Sequence, residues 1–168
     1  MGFFQRLFGK KEEREEIKQR DVFSIKIDDI VSYELEDYQA VGKLVYKDGN
    51  FTWTAYQLKG DGRTLWLSAE MDDELELGMY EKIPLKLSGE IPNKLYYDGT
   101  EYYLEESGSA RVKGEGRGAN VDGLIVKYYD FSDKAEESFL SVEDWGGEIE
   151  ASIGWEIEEY EIKILAAS

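Results

Sequence analysis

From about Ile25 onward apolar and polar side chains alternate with a period of two, and aromatic and β-branched residues fill many of the apolar positions. Glu74 to Tyr80 sets Leu75, Leu77 and Met79 against Glu74, Glu76 and Gly78. Glu148 to Trp155 repeats the arrangement, with Ile149, Ala151, Ile153 and Trp155 opposite Glu148, Glu150, Ser152 and Gly154. Tyr160, Ile162 and Ile164 alternate with Glu159, Glu161 and Lys163. Successive side chains of a strand point to opposite faces, so these segments read as half-buried antiparallel strands with glutamates turned outward to solvent. Further strands are expected at Val31–Leu35, Gln39–Tyr46, Phe51–Leu58, Thr64–Glu70, Thr100–Glu105, Ala110–Lys113, Leu124–Phe131 and Ser138–Glu143. Asp48-Gly49, Asp61-Gly62, Asp98-Gly99, Asp122-Gly123 and Gly146-Gly147 supply the positive-φ positions of tight turns, so most connections should be local hairpins.

The start of the chain follows a different pattern. Phe3, Phe4, Leu7 and Phe8 fall at i, i+1, i+4 and i+5, on one side of a short helix. After Gly9 charge dominates, and Ile17 is the single large apolar residue between Lys10 and Arg20, so this stretch reads as a solvated arm. With Arg6, Lys10 and Lys11 beside them, the four apolar residues have the character of a tether to a membrane surface or a protein partner. The competing reading is that they dock on the protein's own body or on a neighbouring chain.

Two halves of the remainder match in order. Trp66-Leu67-Ser68-Ala69-Glu70 corresponds to Phe139-Leu140-Ser141-Val142-Glu143, and Tyr56 and Leu58 to Tyr129 and Phe131. Glu74-Leu75-Glu76-Leu77 corresponds to Glu148-Ile149-Glu150-Ala151, Leu85-Lys86-Leu87 to Ile162-Lys163-Ile164, and Tyr33 and Tyr38 to Tyr97 and Tyr102. Several matches in one order predict a duplication. The expected fold is all-β, with two tandem related antiparallel units, small barrels or sheets side by side, after a short N-terminal helix. The expected divisions are a charged arm over residues 1–20, a first unit over 21–89 and a second over 90–168.

Composition narrows the chemistry. The chain has no histidine and no cysteine, which excludes Ser-His-Asp and Cys-His catalysis, disulfides, iron–sulfur clusters and His- or Cys-based metal sites. The net charge is −17, but residues 1–20 hold six basic against four acidic residues, leaving −19 for the body. Such a body repels phosphate backbones and attracts basic proteins, polyamines and other cations, although solubility alone is the plainer account. No stretch approaches the roughly 18 consecutive apolar residues of a membrane span, and no signal-peptide pattern is present, so a cytoplasmic protein is expected, peripheral at most to the inner face of the membrane.

The segments Trp53-Thr54-Ala55-Tyr56-Gln57-Leu58, Trp66-Leu67-Ser68-Ala69-Glu70, Tyr97-Asp98-Gly99, Tyr103-Leu104-Glu105-Glu106-Ser107-Gly108 and Gly114-Glu115-Gly116, with the closing Ser141-Val142-Glu143-Asp144-Trp145 and Gly154, resemble the bacterial family of domain of unknown function 4178 (DUF4178). The resemblance covers roughly Asp28 to Leu165. It implies a setting beside membrane-stress and polyamine-related genes, an association rather than a mechanism, and it transfers no catalytic residue.

Three features compete as sites. Gly114-Glu115-Gly116-Arg117-Gly118 superficially suggests a phosphate-cradling loop, but both neighbours read as strands, so it reads as a mobile hairpin loop with Arg117 at its tip. Adjacent carboxylates are too common among 37 acidic residues to mark a catalytic pair, and alternating glutamates usually form a solvated face. Most aromatics should be core, yet one member of each Tyr pair must face outward, and an aromatic surface lined with carboxylates suits an amine through cation–π contact. The candidate ligand surface comprises Tyr97, Tyr103, Glu105, Arg117 and Tyr129. The first expectation is a non-enzymatic interaction module, without cofactor or metal, that binds a cationic or membrane-associated partner and uses residues 1–11 as tether. The alternative is a binder of, or enzyme for, a polyamine-like amine, with Tyr and Glu side chains at the junction of the repeats. A nucleic-acid mimic follows from charge alone and is weakest.

Overall fold

A computed structural model describes residues 20–167, and within them the structure is strand almost throughout. The strands are β1 (Ile30–Tyr33), β2 (Glu36–Asp48), β3 (Phe51–Lys59), β4 (Thr64–Met71), β5 (Leu75–Ile83), β6 (Lys94–Tyr97), β7 (Thr100–Gly116), β8 (Ile125–Ser132), β9 (Phe139–Asp144), β10 (Ile149–Ile157) and β11 (Ile162–Leu165). Two 3₁₀ turns, Arg117–Val121 and Glu159–Glu161, complete the regular structure. The short N-terminal helix expected around Phe3, Phe4, Leu7 and Phe8 lies outside the described residues.

The strands form one sheet in the order β11-β1-β2-β3-β4-β5-β10-β9-β8-β7-β6, and β2 pairs in addition with β7. Eight of them, β2 to β5 and β7 to β10, therefore close a barrel. The sequence leaves open whether the two expected units, small barrels or sheets fused side by side, share a sheet; strands from both halves of the chain build one ring. The cause is backbone satisfaction. Each half alone would leave two edges of unpaired N–H and C=O groups, and pairing β5 with β10 (Leu77↔Ile157 to Ile83↔Ala151) and β2 with β7 (Gly42↔Gly116 to Lys47↔Arg111) removes them.

Two bulges decide which side chains enter the ring. The register shifts between Ala40 and Gly42 in β2 and between Leu104 and Glu106 in β7, leaving Val41 and Glu105 as the extra residues. One added residue reverses the side-chain faces downstream. Tyr38 and Ala40 accordingly join a cluster outside the ring, while Leu44 and Tyr46 belong to the cluster within it. Tyr102 likewise packs outside, and Glu106 lines the interior.

The larger apolar clusters lie on the outer surface of the barrel. Leu65, Leu67 and Ala69 of β4 and Leu77 and Met79 of β5 are covered by Val31 and Tyr33 of β1 and by Val22 and Ile25. On the other half Phe131, Leu140, Val142 and Ala151 pack with Ile91, Leu95 and Tyr102. Their burial is the main apolar driving force, and it turns the alternate, polar positions of the same strands inward. Glutamates expected to face outward, among them Glu76 and Glu150, thus line the interior of the ring.

Asp29 ties this covering layer together. Almost wholly buried, it accepts the backbone N–H of Lys26 at 2.8 Å and of Ala167 at 3.0 Å, and Arg20 Nε lies 2.6 Å from its Oδ2. Asp29→Ala should cost about 3–5 kcal/mol, because it strands a largely buried guanidinium and two backbone donors. Urea unfolding monitored by tryptophan fluorescence would measure it; a loss under ~1 kcal/mol would remove the hub from this account.

Candidate functional site

The inward positions of the ring surround a hollow of about 870 Å³. Strand alternation places Trp66, Ser68 and Glu70 of β4 on that face, and the matching Ser141 and Glu143 of β9. Glu76, Tyr80 and Lys82 enter from β5, Glu150 and Ser152 from β10, Tyr128 and Asp130 from β8, and Glu106 from β7. Among the described residues, eight carboxylates line the hollow against two cations, Lys82 and Arg117.

One end is aromatic. Tyr46 stacks on Trp53 with ring centroids 5.1 Å apart, and Tyr128 meets the other side of Trp53 edge-on at 5.1 Å. The Tyr128 hydroxyl donates to Asp48 at 2.5 Å, which fixes that ring. Trp66, Val121 and Trp145 pack against the same cluster. The 3₁₀ turn Arg117–Val121 seats here against β2, with buried Gly118 beside Leu44. The glycine run is therefore a close-packed end-piece rather than the adaptable hairpin loop expected from its composition. Gly114 is small because the Gly118 backbone lies against it, and Gly118 because the Leu44 side chain does, not because the chain needs a flexible tip.

The other end opens beside the β8–β9 connection into a second space of about 600 Å³. The two spaces share Glu70, Glu76, Tyr80, Glu106 and Asp130, which form a waist between them. Glu105, Glu136 and Glu156 add to the outer opening, and among the described residues no basic side chain lines it.

Crowded carboxylates perturb one another. Asp130 keeps water-accessible surface because it borders the hollow on both sides of the waist, yet the barrel wall encloses it. That burial, followed by the charges of Glu106, Glu143 and Glu70, pushes its carboxyl up to about 7. Burial likewise pushes Glu143 to about 7, with the Tyr46 hydroxyl and Lys82 opposing the rise and Glu150 adding to it. Glu70 is raised by burial and then by Glu76, Glu106 and Asp72. Burial also raises the hydroxyls of Tyr46 and Tyr80, so both stay protonated donors at neutral pH. Lys82 is already engaged, 3.0 Å from Glu150 and above the Trp66 ring. Among the described residues, Glu70, Glu106 and Asp130 have neither an ion-pair nor a side-chain hydrogen-bond partner, and no three acidic groups converge closely enough to hold a metal ion.

Comparison with known proteins adds the family. The model of the family described as Domain of unknown function (DUF4178) matches residues 26–159. The chain belongs to it. Two curated relatives, Uncharacterized protein Mb2628 of Mycobacterium bovis and Uncharacterized protein Rv2597 of Mycobacterium tuberculosis, are each 32% identical over 133 residues, covering 76% of this chain and 62% of the relative. The chain thus spans less than two thirds of the length of these relatives. No solved structure matches.

The match takes in all eight barrel strands of this DUF4178 chain, and with them the lumen. Of the residues expected to form a ligand surface, Arg117 lines the lumen and Glu105 its outer opening, where Glu105 accepts a hydrogen bond from Ser132 at 2.8 Å. Tyr97 and Tyr129 pack against the outer cluster around Phe131, and Tyr103 is exposed with Lys94 above its ring. These five do not form one site. The parity of β8 divides the Tyr pair: Tyr128 faces the lumen and Tyr129 the outer cluster. Asp130, Glu106, Glu143 and Trp66 were missed as site residues, although the repeated Ser68/Glu70 and Ser141/Glu143 spacing already put each pair on one face. The tether residues Phe3, Phe4, Leu7 and Phe8 lie outside the described residues, among which no helix is long and apolar enough to cross a membrane.

Proposed function

We propose that this DUF4178 domain is a non-enzymatic binding module whose barrel lumen takes an organic cation, an amine or ammonium compound. The observation that carries the reading is the hollow itself: its waist carboxylates Glu70, Glu106 and Asp130 have no cationic partner among the described residues and face a space of about 870 Å³, within the range of small-ligand sites. Aromatic faces at one end suit cation–π contact. Carboxylates spread round the walls suit an extended organic cation better than a point-like metal ion. Tethering through residues 1–11 remains a compatible element of the reading, since a lumen and an N-terminal anchor use different parts of the chain.

The same reading includes a duplication, with residues 21–89 and 90–168 as two copies of a unit in which β1 to β5 correspond to β6 to β10, β11 being additional, and the site between them. It is supported by the seams, where each strand pairs with its counterpart, β5 with β10 and β2 with β7, and by bulges at the corresponding residues Val41 and Glu105.

Thermal-shift titration with spermidine, tetramethylammonium and 2-phenylethylammonium chlorides tests the function. At least one should give a saturable rise in Tm, corresponding to about 2.7 kcal/mol at a hundred times its Kd. Glu106→Gln combined with Asp130→Asn should remove it. Shifts no larger than magnesium chloride gives at equal ionic strength would sink the proposal.

A further inference from the structure

The interior is graded along its length, and the gradient narrows the kind of cation it fits. At the aromatic end the wall is Leu44, Trp53, Trp66, Val121 and Trp145, part of an apolar cluster of the fold. Both lumen cations belong to this part: Arg117 opens the 3₁₀ turn that seats Gly118 on Leu44, and Lys82 neutralises Glu150 above the Trp66 ring. Four carboxylates, Asp72, Glu143, Glu148 and Glu150, thus accompany two cations there. From the waist outward the balance changes. Glu70, Glu76, Glu106 and Asp130 at the waist and Glu105, Glu136 and Glu156 beyond it border an outer space that no basic side chain lines among the described residues. None of the residues of the apolar cluster lines that outer space.

We propose that the lumen selects an amphipathic monoammonium compound, an amine carried on an aromatic or alkyl body, and holds it in one orientation. The ammonium group sits at the waist among Glu70, Glu106 and Asp130, and the apolar body lies toward Trp53, Trp66 and Trp145. This rests on the organic-cation reading above and adds the class of ligand to it. The physical reason is desolvation. A linear polyamine has charge along its whole length, so reaching inward from the waist it would set a charge against the apolar wall beside Arg117 and Lys82, and reaching outward it would leave the aromatic wall uncovered. An aralkyl amine loses water only where apolar surface replaces it, and places its single charge where enclosed carboxylates lack a partner. The waist is also where bound charge has most effect, since a cation there relieves mutual repulsion among groups that the fold already holds together.

The test compares three probes by isothermal titration at fixed ionic strength and pH 8: 2-phenylethylammonium, the neutral 2-phenylethanol and spermidine. The aromatic amine should bind at least tenfold more tightly than either of the others. Trp145→Ala should weaken it about tenfold, Trp145→Phe should restore most of the loss, and Asp130→Asn should weaken it while leaving 2-phenylethanol unchanged. Far-UV circular dichroism of each variant separates lost binding from lost folding, and quenching of tryptophan emission by the aromatic amine in the wild-type protein provides a readout independent of any variant. Spermidine binding more tightly than the aromatic amine, with no effect of Trp145→Ala, would overturn the orientation and leave the organic-cation reading standing. Failure of both ammonium probes to bind beyond magnesium would overturn both.

Discussion

Asp130→Asn will raise the thermal stability of this protein above neutral pH and, on the proposed cation-binding reading, will weaken binding of an ammonium ligand. The two effects have one origin. Enclosure in the barrel and the charges of Glu106, Glu143 and Glu70 lift the Asp130 carboxyl from its ordinary value of 3.8 to about 7, and enclosure similarly lifts Glu143 from 4.5 to about 7. A folded value above the unfolded one means that the folded state holds the proton more tightly. The stability these groups contribute is therefore fully present below about pH 4, declines as pH rises, and is lost once pH passes about 7. Allowing for water in the hollow, which screens the charges, each group should contribute about 1–2 kcal/mol to that decline. For a chain of this size that corresponds to about 3–6 °C in Tm for each group. Calorimetry of wild type and Asp130→Asn between pH 5 and pH 8.5 should show curves that converge at the acid end and separate at the alkaline end, with the variant higher. A variant less stable than wild type at pH 8 would show that Asp130 makes a stabilising contact instead of bearing a repulsion. A bound cation should reduce the same decline, and its uptake near pH 7 should release protons, measurable as a binding enthalpy that varies with the ionisation enthalpy of the buffer.

Gly114→Ala will be the most damaging single-methyl change in the barrel wall. A Cβ at that position would lie 1.9 Å from the Gly118 carbonyl oxygen and 2.7 Å from its carbon. Both are backbone atoms, so no side-chain rotation relieves the clash, and the turn Arg117–Val121 must leave its seat on β2. Gly118 already approaches Leu44 and the Lys43 carbonyl, so the turn cannot move inward. The expected cost is about 3 kcal/mol, at the upper end for overpacking. Gly49→Ala is the control, since nothing lies within 4 Å of a Cβ there and only the left-handed backbone at φ 60° opposes it, at about 1–2 kcal/mol. Urea unfolding should give the larger loss for Gly114→Ala, and limited proteolysis should nick that variant near Arg117. Equal losses at the two glycines would mean that the turn is not held as described.

Strand positions were largely legible, and the exceptions have physical causes. β7 reads in sequence as two strands broken at Glu106-Ser107-Gly108-Ser109, yet it runs unbroken from Thr100 to Gly116. Gly108 is there because a Cβ would lie 2.6 Å from the Tyr128 hydroxyl and 2.7 Å from Asp48, a demand set by side chains distant in sequence. β6 was missed because Leu95-Tyr96-Tyr97 are consecutive apolar residues that hide its alternation; its hairpin was legible only in Asp98-Gly99, both at positive φ. The site was half legible. Alternation correctly sorted Glu76 from Leu77 and Glu150 from Ala151, but it gives two faces without saying which becomes concave. That depends on the seam pairings and the outer layers, which are tertiary choices. Once the ring closes, the glutamates read as a solvated outer face become the lining, and the one-residue difference between Tyr128 and Tyr129 separates interior from exterior.

The two seams also set an order of assembly. The β2–β3, β3–β4, β4–β5, β7–β8, β8–β9 and β9–β10 hairpins join neighbours in sequence and can zip independently, whereas β2–β7 and β5–β10 join partners far apart along the chain and close later. Until then the lining carboxylates are spread over two open ribbons and fully hydrated. Ring closure gathers them in a single late step, so the barrier to that step rises with their ionisation and falls with the supply of counter-ions in the surrounding medium.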